Sequence, residues 1–594
     1  MNFKYIKTLA LAGLVGLGFS SCEDFLDRPT KDTDTSSTFY QTDDQCYSGV
    51  NYLYNMPWFD VLRGYFQVEV LAGNLYMGDS PYLKYMVDGD TEDNVNMSNS
   101  LWAVIANTNT VYDNIKNGNG SEAAKKDCMG QCLLWKAMAY FYIVRTYGDV
   151  PLIHNNMDAL GQDYNNFPKV QKADIYEYII MTLEKAQELL PDTPKNPGRF
   201  DKLTADALMA KVYLAKAGVT GQLNQADLDA AADHALKVIN DPLKRHNLLP
   251  NYSDNFRLQY NFNEESIIAW RWDCTTDVWT TQNCLQSDLA WLGFDEWNCW
   301  GDWRCISVDL QEAFGIKILE QQPSAWLGHN DTRLKATMML PGFTYDYFWT
   351  DHALPDGSGN GFDFLSFIYN KEYNSQAKDS YDAQSGASNV KHLHGNNADH
   401  RAGVGYAPSG QMASSLATHI LRLADVYLIY AEAKLHGPGS TTNDPKAIEL
   451  YRAVRQRALS TTVPEMNVLK WEDVWKERRL ELAMEGDRWY DYVRVSYYNP
   501  SFVENELKNQ KREVYGNIDK LTREYYSTGN WTVTTEKYPE RPDPLNVGRL
   551  QVEDYVSKNK VLTIPMPTTD LNTNAHLRPE AAPEHVDVRE KYRY

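Results

Sequence analysis

The stretch "WEDVWKERRLELAMEGDRWYDYVR", residues 471–494, decides how this chain folds. Arg478, Glu481, Glu485 and Arg488 recur at spacings of three and four, so opposite charges meet along one helical face. The same face carries Trp471, Trp475, Leu482 and Trp489. Charges set among large aromatic rings predict an internal ion network. Reading the carboxylates as an acid/base pair would need an open cleft, and the neighbouring arginines would depress the pKa that a general acid needs raised.

Working outward, helices are expected around Ala447 to Leu459 and along the stripe Leu416, Ile420, Leu423, Tyr427 and Ala431. Arg422 and Asp425, one turn apart, would brace the packing. A first block repeats the pattern: Leu134, Ala137, Met138, Phe141 and Val144 form one stripe, and "YGDVP" at 147–151 stops that helix through Gly148 and Pro151. Ala207, Ala210, Leu214 and Ala217, then Ala231, Ala235 and Val238, are small-residue stripes that let helices approach closely. Successive amphipathic helices with short connections suggest antiparallel pairs stacked as a solenoid, although no clean 34-residue repeat is present. Residues 241–415 break the pattern with scattered Gly, Pro, Asn and aromatics and short β-like runs such as "SIIAW" at 266–270. That stretch reads as a functional excursion carried by the helical scaffold, with a smaller one at 495–560. Residues 41–594 are thus expected to form one domain.

The 594-residue chain has a formal net charge of -21, which excludes the basic footprint that nucleic-acid binding requires. Its 39 Tyr and 16 Trp exceed what a core needs and point to recognition. Lys4 and Lys7 precede an apolar run from Leu9 to Phe19, too short for a membrane anchor, and no other segment reads as a span. "LGFSSC" resembles a bacterial lipobox, which makes 1–21 a signal peptide, Cys22 the lipidated first residue and 22–40 an extended tether. Of the seven later cysteines, Cys274 with Cys284 and Cys299 with Cys305 are candidate bridges; an odd number leaves at least one free. Metal binding is the weaker reading, because no C-x-x-C pair occurs.

Five segments carry a family resemblance: "SCEDFLDRPT" at 21–30, "LLWKAMAYFYIVRTYGDVPLI" at 133–153, "LRLADVYLIYAEA" at 421–433, "ERRLELAMEGDRWYDYVR" at 477–494 and "LTIPMPTTDLNTNAHLRPEA" at 562–581. Together they resemble the SusD/RagB family of outer-membrane nutrient-binding lipoproteins. The last departs from the family's Asn-Pro-Gly ending with Arg578, Pro579 and Glu580. The resemblance implies a mainly α fold: a right-handed scaffold of four tetratricopeptide-like helix pairs with irregular excursions bearing short strands. It implies a lipid-anchored glycan-binding protein on the outer face of the outer membrane, acting as the lid of a SusC-type TonB-dependent transporter, without cofactor or catalysis. Glu23 and Asp24 after Cys22 look like the sorting signal for that face in Bacteroidetes-type bacteria. The alternatives are a peptide captor of the RagB kind, favoured by an acidic groove with few exposed tryptophans, and an endo-glycosidase, which needs two carboxylates flanking a sugar platform.

No H-E-x-x-H, G-x-S-x-G or P-loop occurs. "HLHGNNADH" at 392–400 offers three histidines, but it reads as a flexible Asn/Gly loop without a completed ligand set. The candidate surface is "WLGFDEWNCWGDWRC" at 291–305. Trp270, Trp272 and Trp291 read as packing. Trp297, Trp300 and Trp303, spaced by three beside Asp302 and Arg304, can present flat rings to the C–H faces of sugars and charged groups to their hydroxyls. The resemblance adds the Asp79 segment, with Asp79, Tyr82 and Tyr85. "FTYDYFWT" at 343–350 adds Tyr345, Tyr347 and Trp349, whose alternation equally describes a strand face. Trp102 reads as helix packing. For the anchor, the expectation is direct: Cys22→Ala releases the protein from the membrane fraction, because a lipid chain contributes about 0.8 kcal/mol per buried methylene. Unchanged fractionation would remove the lipoprotein reading.

Overall fold

The computed structural model describes residues 39–594 except 79, 158–163, 276–281, 297, 409–411, 513, 517 and 534–561. Cys22 and its tether lie outside the described residues, apart from the last two tether positions. Helix α1 (Phe59–Leu71) precedes a linear array of helices that pack in four successive pairs. These are α2 (Glu92–Asn117) with α3 (Glu122–Tyr147), α4 (Lys172–Leu189) with α5 (Lys202–Lys216), α6 (Gln225–Ile239) with α7 (Leu423–Ala433), and α8 (Pro445–Ala458) with α9 (Trp471–Glu481).

Local chemistry sets the helix ends. The Ser121 hydroxyl accepts from the Ala124 N–H at the start of α3, and Gly148, at φ 79°, ends that helix where a side chain would be strained. Asp201 and Thr204 cap α5 reciprocally. Ala207 and Ala210 on α5 and Ala231, Ala232 and Ala235 on α6 are all buried, so the predicted small-residue stripes do face a helix interface.

The excursion leaves after α6 and returns at α7, two helices that pack against each other. Its ends are tied together by an antiparallel pair, β1 (Ser266–Trp270) with β2 (Thr418–Arg422). The remaining described strands form isolated pairs of two residues each. The Leu416-to-Ala431 stripe is therefore half strand. The helix begins only at Leu423, because β2 uses residues 418–422 to pair with β1. All seven described cysteines are buried and free, so neither predicted bridge forms.

Residues 471–494 are not one helix. The chain breaks between α9 and α10 (Arg488–Ser496), with Met484 at φ 63° and Gly486 at φ 74°. A Cβ on Gly486 would sit 2.4 Å from the Tyr65 ring of α1, so only glycine fits the turn. The Gly486 N–H donates to Glu69 of α1 at 2.6 Å. The break also aims its charges across elements. The Arg422 guanidinium pairs with Glu265 (2.5 Å), Glu481 (3.0 Å) and Glu485 (2.8 Å), and Arg457 pairs with Glu265 and Glu481. Arg333 joins Glu481 to Glu477 and Asp331, and Lys391 reaches Glu485 at 2.9 Å. A second knot links Arg478 to Asp425 and Asp491, Lys211 to Asp425 and Asp487, and Arg494 to Glu432. Burial penalises the Glu485 carboxylate, yet Arg422 and Lys391 hold its pKa far below the usual range.

Breaking such a network by removing one partner leaves uncompensated buried charge. Arg422→Met takes one cationic partner from each of three buried carboxylates and is expected to cost about 3–5 kcal/mol of unfolding free energy, measured by denaturant titration. Arg452→Met, which breaks the pair with the exposed Glu465 and a 3.3 Å hydrogen bond to the Val463 carbonyl, is expected to change stability by less than about 1 kcal/mol.

Candidate functional site

The 291–305 loop is pinned from below. The backbone N–H of Trp300 donates to the Ser287 carbonyl at 2.9 Å and that of Gly301 to the Ala290 carbonyl at 2.7 Å. A Cβ at Gly301 would meet Asp288 and Leu289 backbone atoms within 2.6 Å, so the loop lies flat on the short helix Leu285–Leu289. Pinning separates the tryptophans. Trp291 is buried, its indole N–H donating to Ser388 at 2.7 Å, and Trp300 is half-buried with its N–H on Asp288 at 3.0 Å. Trp303 stays 40% exposed, and no other described tryptophan is among the exposed large apolar residues. The Arg304 guanidinium lies 4.9 Å from the Trp303 ring and 5.2 Å from that of Phe66 on α1, and its charge is held by Asp288 at 2.8 Å. Trp270 and Trp272 are core, as expected.

The α1 side adds groups that the motif search missed. Arg63 lies one turn before Phe66. Burial works against its charge, while Asp288, Asp93 and Asp60 raise its pKa. No described group hydrogen-bonds or ion-pairs with its guanidinium, and its Nε is buried without a partner. Asp93, at the start of α2, accepts from Gln67 at 2.7 Å, and Gln67 in turn accepts from Ser80 at 3.3 Å. Burial raises the pKa of both Asp60 and Asp93. The segment beside position 79 is thus tied to α1 and α2 through Ser80. The sequence signal was a lone arginine in the apolar run "FDVLRGYF", one turn after Asp60; Asp93 and Asp288 come from segments further along the chain.

On the other side of Trp303 lies a cleft of about 360 Å³ lined by Asp302, Lys378, Asp382, Gln384, Tyr515 and Asp519, among others. Asp302 is buried and ion-paired to Lys378, which also meets Asp382 at 3.3 Å. The predicted trio Trp303, Asp302 and Arg304 is brought together, with Trp300 beneath it.

Other candidates fall elsewhere. Asp79 and Trp297 lie outside the described residues. Tyr82 is 3% exposed and packed in the core, and Tyr85 hydrogen-bonds to Gln510 at 2.9 Å in the interior. Tyr345 is 1% exposed, its hydroxyl donating to the Lys335 and Met338 carbonyls, so it serves packing and not contact. Its strand is two residues long. Trp349 is also buried, its N–H on the Phe294 carbonyl at 3.0 Å, but with Tyr373 and His352 it lines a separate cleft of about 290 Å³. Trp102 packs edge-on to Tyr140.

The three histidines do not sit in a flexible surface loop. His392, His394 and His400 are buried, and burial lowers the pKa of each, that of His392 to about 4. They engage the Met484 carbonyl, Gln286 and the Tyr406 carbonyl. Among the described residues no group of three or more His, Cys, Asp or Glu side chains could hold a metal.

A helix-pair scaffold with a pinned, aromatic and charge-lined surface defines a protein built to hold ligands on its face. Residues 303–580 match the family model described as SusD family, and 25–214 match one described as starch-binding associating with outer membrane. A SusD-like protein of Bacteroides ovatus is 30% identical over 524 residues, covering 86% of each chain. A crystal structure with xylogluco-oligosaccharide is similar at TM-score 0.71 and 25% identity, over 91% of this chain and 99% of the other. A laminarin-binding SusD-like protein shares the fold at TM-score 0.56 and 20% identity, over 81% and 96%. The chain belongs to the SusD family.

Two variants test the placement of the rings. Trp291→Ala is expected to cost about 3–5 kcal/mol of folding stability as a buried truncation. Trp303→Ala should stay within about 0.5 kcal/mol of the parent. Early melting of the Trp303 variant would put that ring in the core.

Proposed function

We propose that this protein is a cell-surface glycan-binding lipoprotein that captures oligosaccharide and delivers it, as a lid, to a SusC-like TonB-dependent transporter. The carrying observation is the exposed Trp303 ring beside the Arg304–Asp288 pair and the cleft that holds the Lys378–Asp302 pair. An aromatic face packs on sugar C–H groups while carboxylates and guanidinium groups take the hydroxyls. The names of the xylogluco-oligosaccharide-bound and laminarin-binding neighbours support the ligand class. The family description supports the outer membrane, and no described helix is long and apolar enough to cross one. In this reading residues 1–21 direct export, Cys22 carries the lipid and 22–40 form the tether. The domain spans 41–594, with excursions at 241–415 and 495–560.

A peptide captor of the RagB kind is the second reading, favoured by the acidic groove and the single clearly exposed tryptophan among the described residues. Affinity electrophoresis separates the two. Retention by a polysaccharide gel that weakens in Trp303→Ala by about 1–3 kcal/mol of binding supports glycan capture. Binding of peptide mixtures without glycan retention would replace it. Turnover of a retained glycan would revive the glycosidase alternative. A large barrel protein is expected to co-purify from gently solubilised membranes, and isolation as a solitary monomer would overturn the lid.

A further inference from the structure

We infer that the Trp303 face selects uncharged glycans and rejects uronic-acid and sulfated ones. This inference rests on the glycan-binding reading above. Its basis is how the charges are already committed. Arg304 is neutralised by Asp288 at 2.8 Å, and Lys378 lies between Asp302 and Asp382. Arg523, paired with the cleft residue Asp519 at 3.3 Å, is likewise committed to Asp379 at 2.6 Å.

A sugar hydroxyl both donates and accepts, whereas a carboxylate or sulfate only accepts. A hydroxyl placed between Lys378 and Asp382 can accept from the ammonium and donate to the carboxylate. An anionic group reaching Lys378 would lie against Asp302 and Asp382, and it would leave their acceptor oxygens unpaired. The net charge of -21 adds a long-range barrier to polyanions. The same cleft holds a further carboxylate in Asp519, which accepts from the Tyr369 hydroxyl and the Tyr381 backbone N–H and pairs with Arg523 at 3.3 Å, so no described cation of the cleft is left without an anion. The face therefore pairs donors with an excess of acceptors, which suits a neutral polyol chain.

The test uses the soluble chain lacking only residues 1–22, in affinity electrophoresis against uncharged glucans, xylans and mannans and against polygalacturonate, alginate and dextran sulfate. Runs at about 50 and about 500 mM salt separate contact from screened repulsion. The expected result is retention by at least one uncharged glycan at both salt levels, lost in Trp303→Ala, with no retention by the acidic gels. Retention by an acidic polysaccharide through Trp303, with the uncharged gels inert, overturns the selectivity and leaves glycan capture standing. No retention by any gel removes the parent reading and this one with it.

A second arm uses Asp302→Asn with Asp382→Asn, which frees Lys378. The double variant is expected to lose about tenfold or more of its affinity for the uncharged glycan, the scale of charged hydrogen bonds, and to gain retention by polygalacturonate at low salt. An unchanged preference in a normally melting double variant overturns the assignment.

Discussion

The buried ion network around Arg422 is the constraint on which the rest of the structure depends. Arg422 comes from the end of β2 and Arg457 from α8, while Glu481 and Glu485 come from the broken segment after α9. Glu265, Arg333 and Lys391 come from the excursion. Charges this deep are expensive to desolvate, so each holds the others in one arrangement, and the irregular excursion has little freedom to slide over the helices. Burial lowers the Lys391 pKa to about 8 even beside Glu485, which shows how dry the knot is.

The network reaches the candidate site in two ways. Through the excursion it fixes the body that carries the 285–305 segment. Through the turn at Gly486, whose N–H is taken by Glu69, it docks α1 and so places Arg63 and Phe66. Burial raises the Glu69 pKa to about 7, so this link is itself desolvated. Asp288 is where the two routes meet, because it holds Arg304 directly and Arg63 through the field. Trp303 gains its exposure from the rigidity beneath it: Trp300 and Gly301 are spent on pinning the loop, and the next ring is left at the surface.

The helices of the scaffold were legible from the sequence, because apolar residues at helical spacing leave few other ways to bury them. The inward-facing charges of 471–494 were legible too, since arginines and glutamates among tryptophans must find partners. Their partners were not: Arg478 pairs with Asp425 and Asp491, and Glu481 with Arg333, Arg422 and Arg457. The break at Gly486 was invisible to periodicity because it answers to the Tyr65 ring, a contact 421 positions away by numbering. Tyr345 and Tyr82 looked like surface aromatics only because a Tyr among polar neighbours carries no mark of its burial.

The sequence by itself determined the helical class and the family, because these rest on local periodicity and on motifs that are contiguous in the chain. Only the tertiary structure decided which of the loop's described rings meets solvent, and that Lys378, Asp382 and Asp519 share a cleft with it. Exposure and charge pairing depend on which distant segments arrive at the same place, and that is settled by packing and by the need of buried charges for partners, not by spacing along the chain.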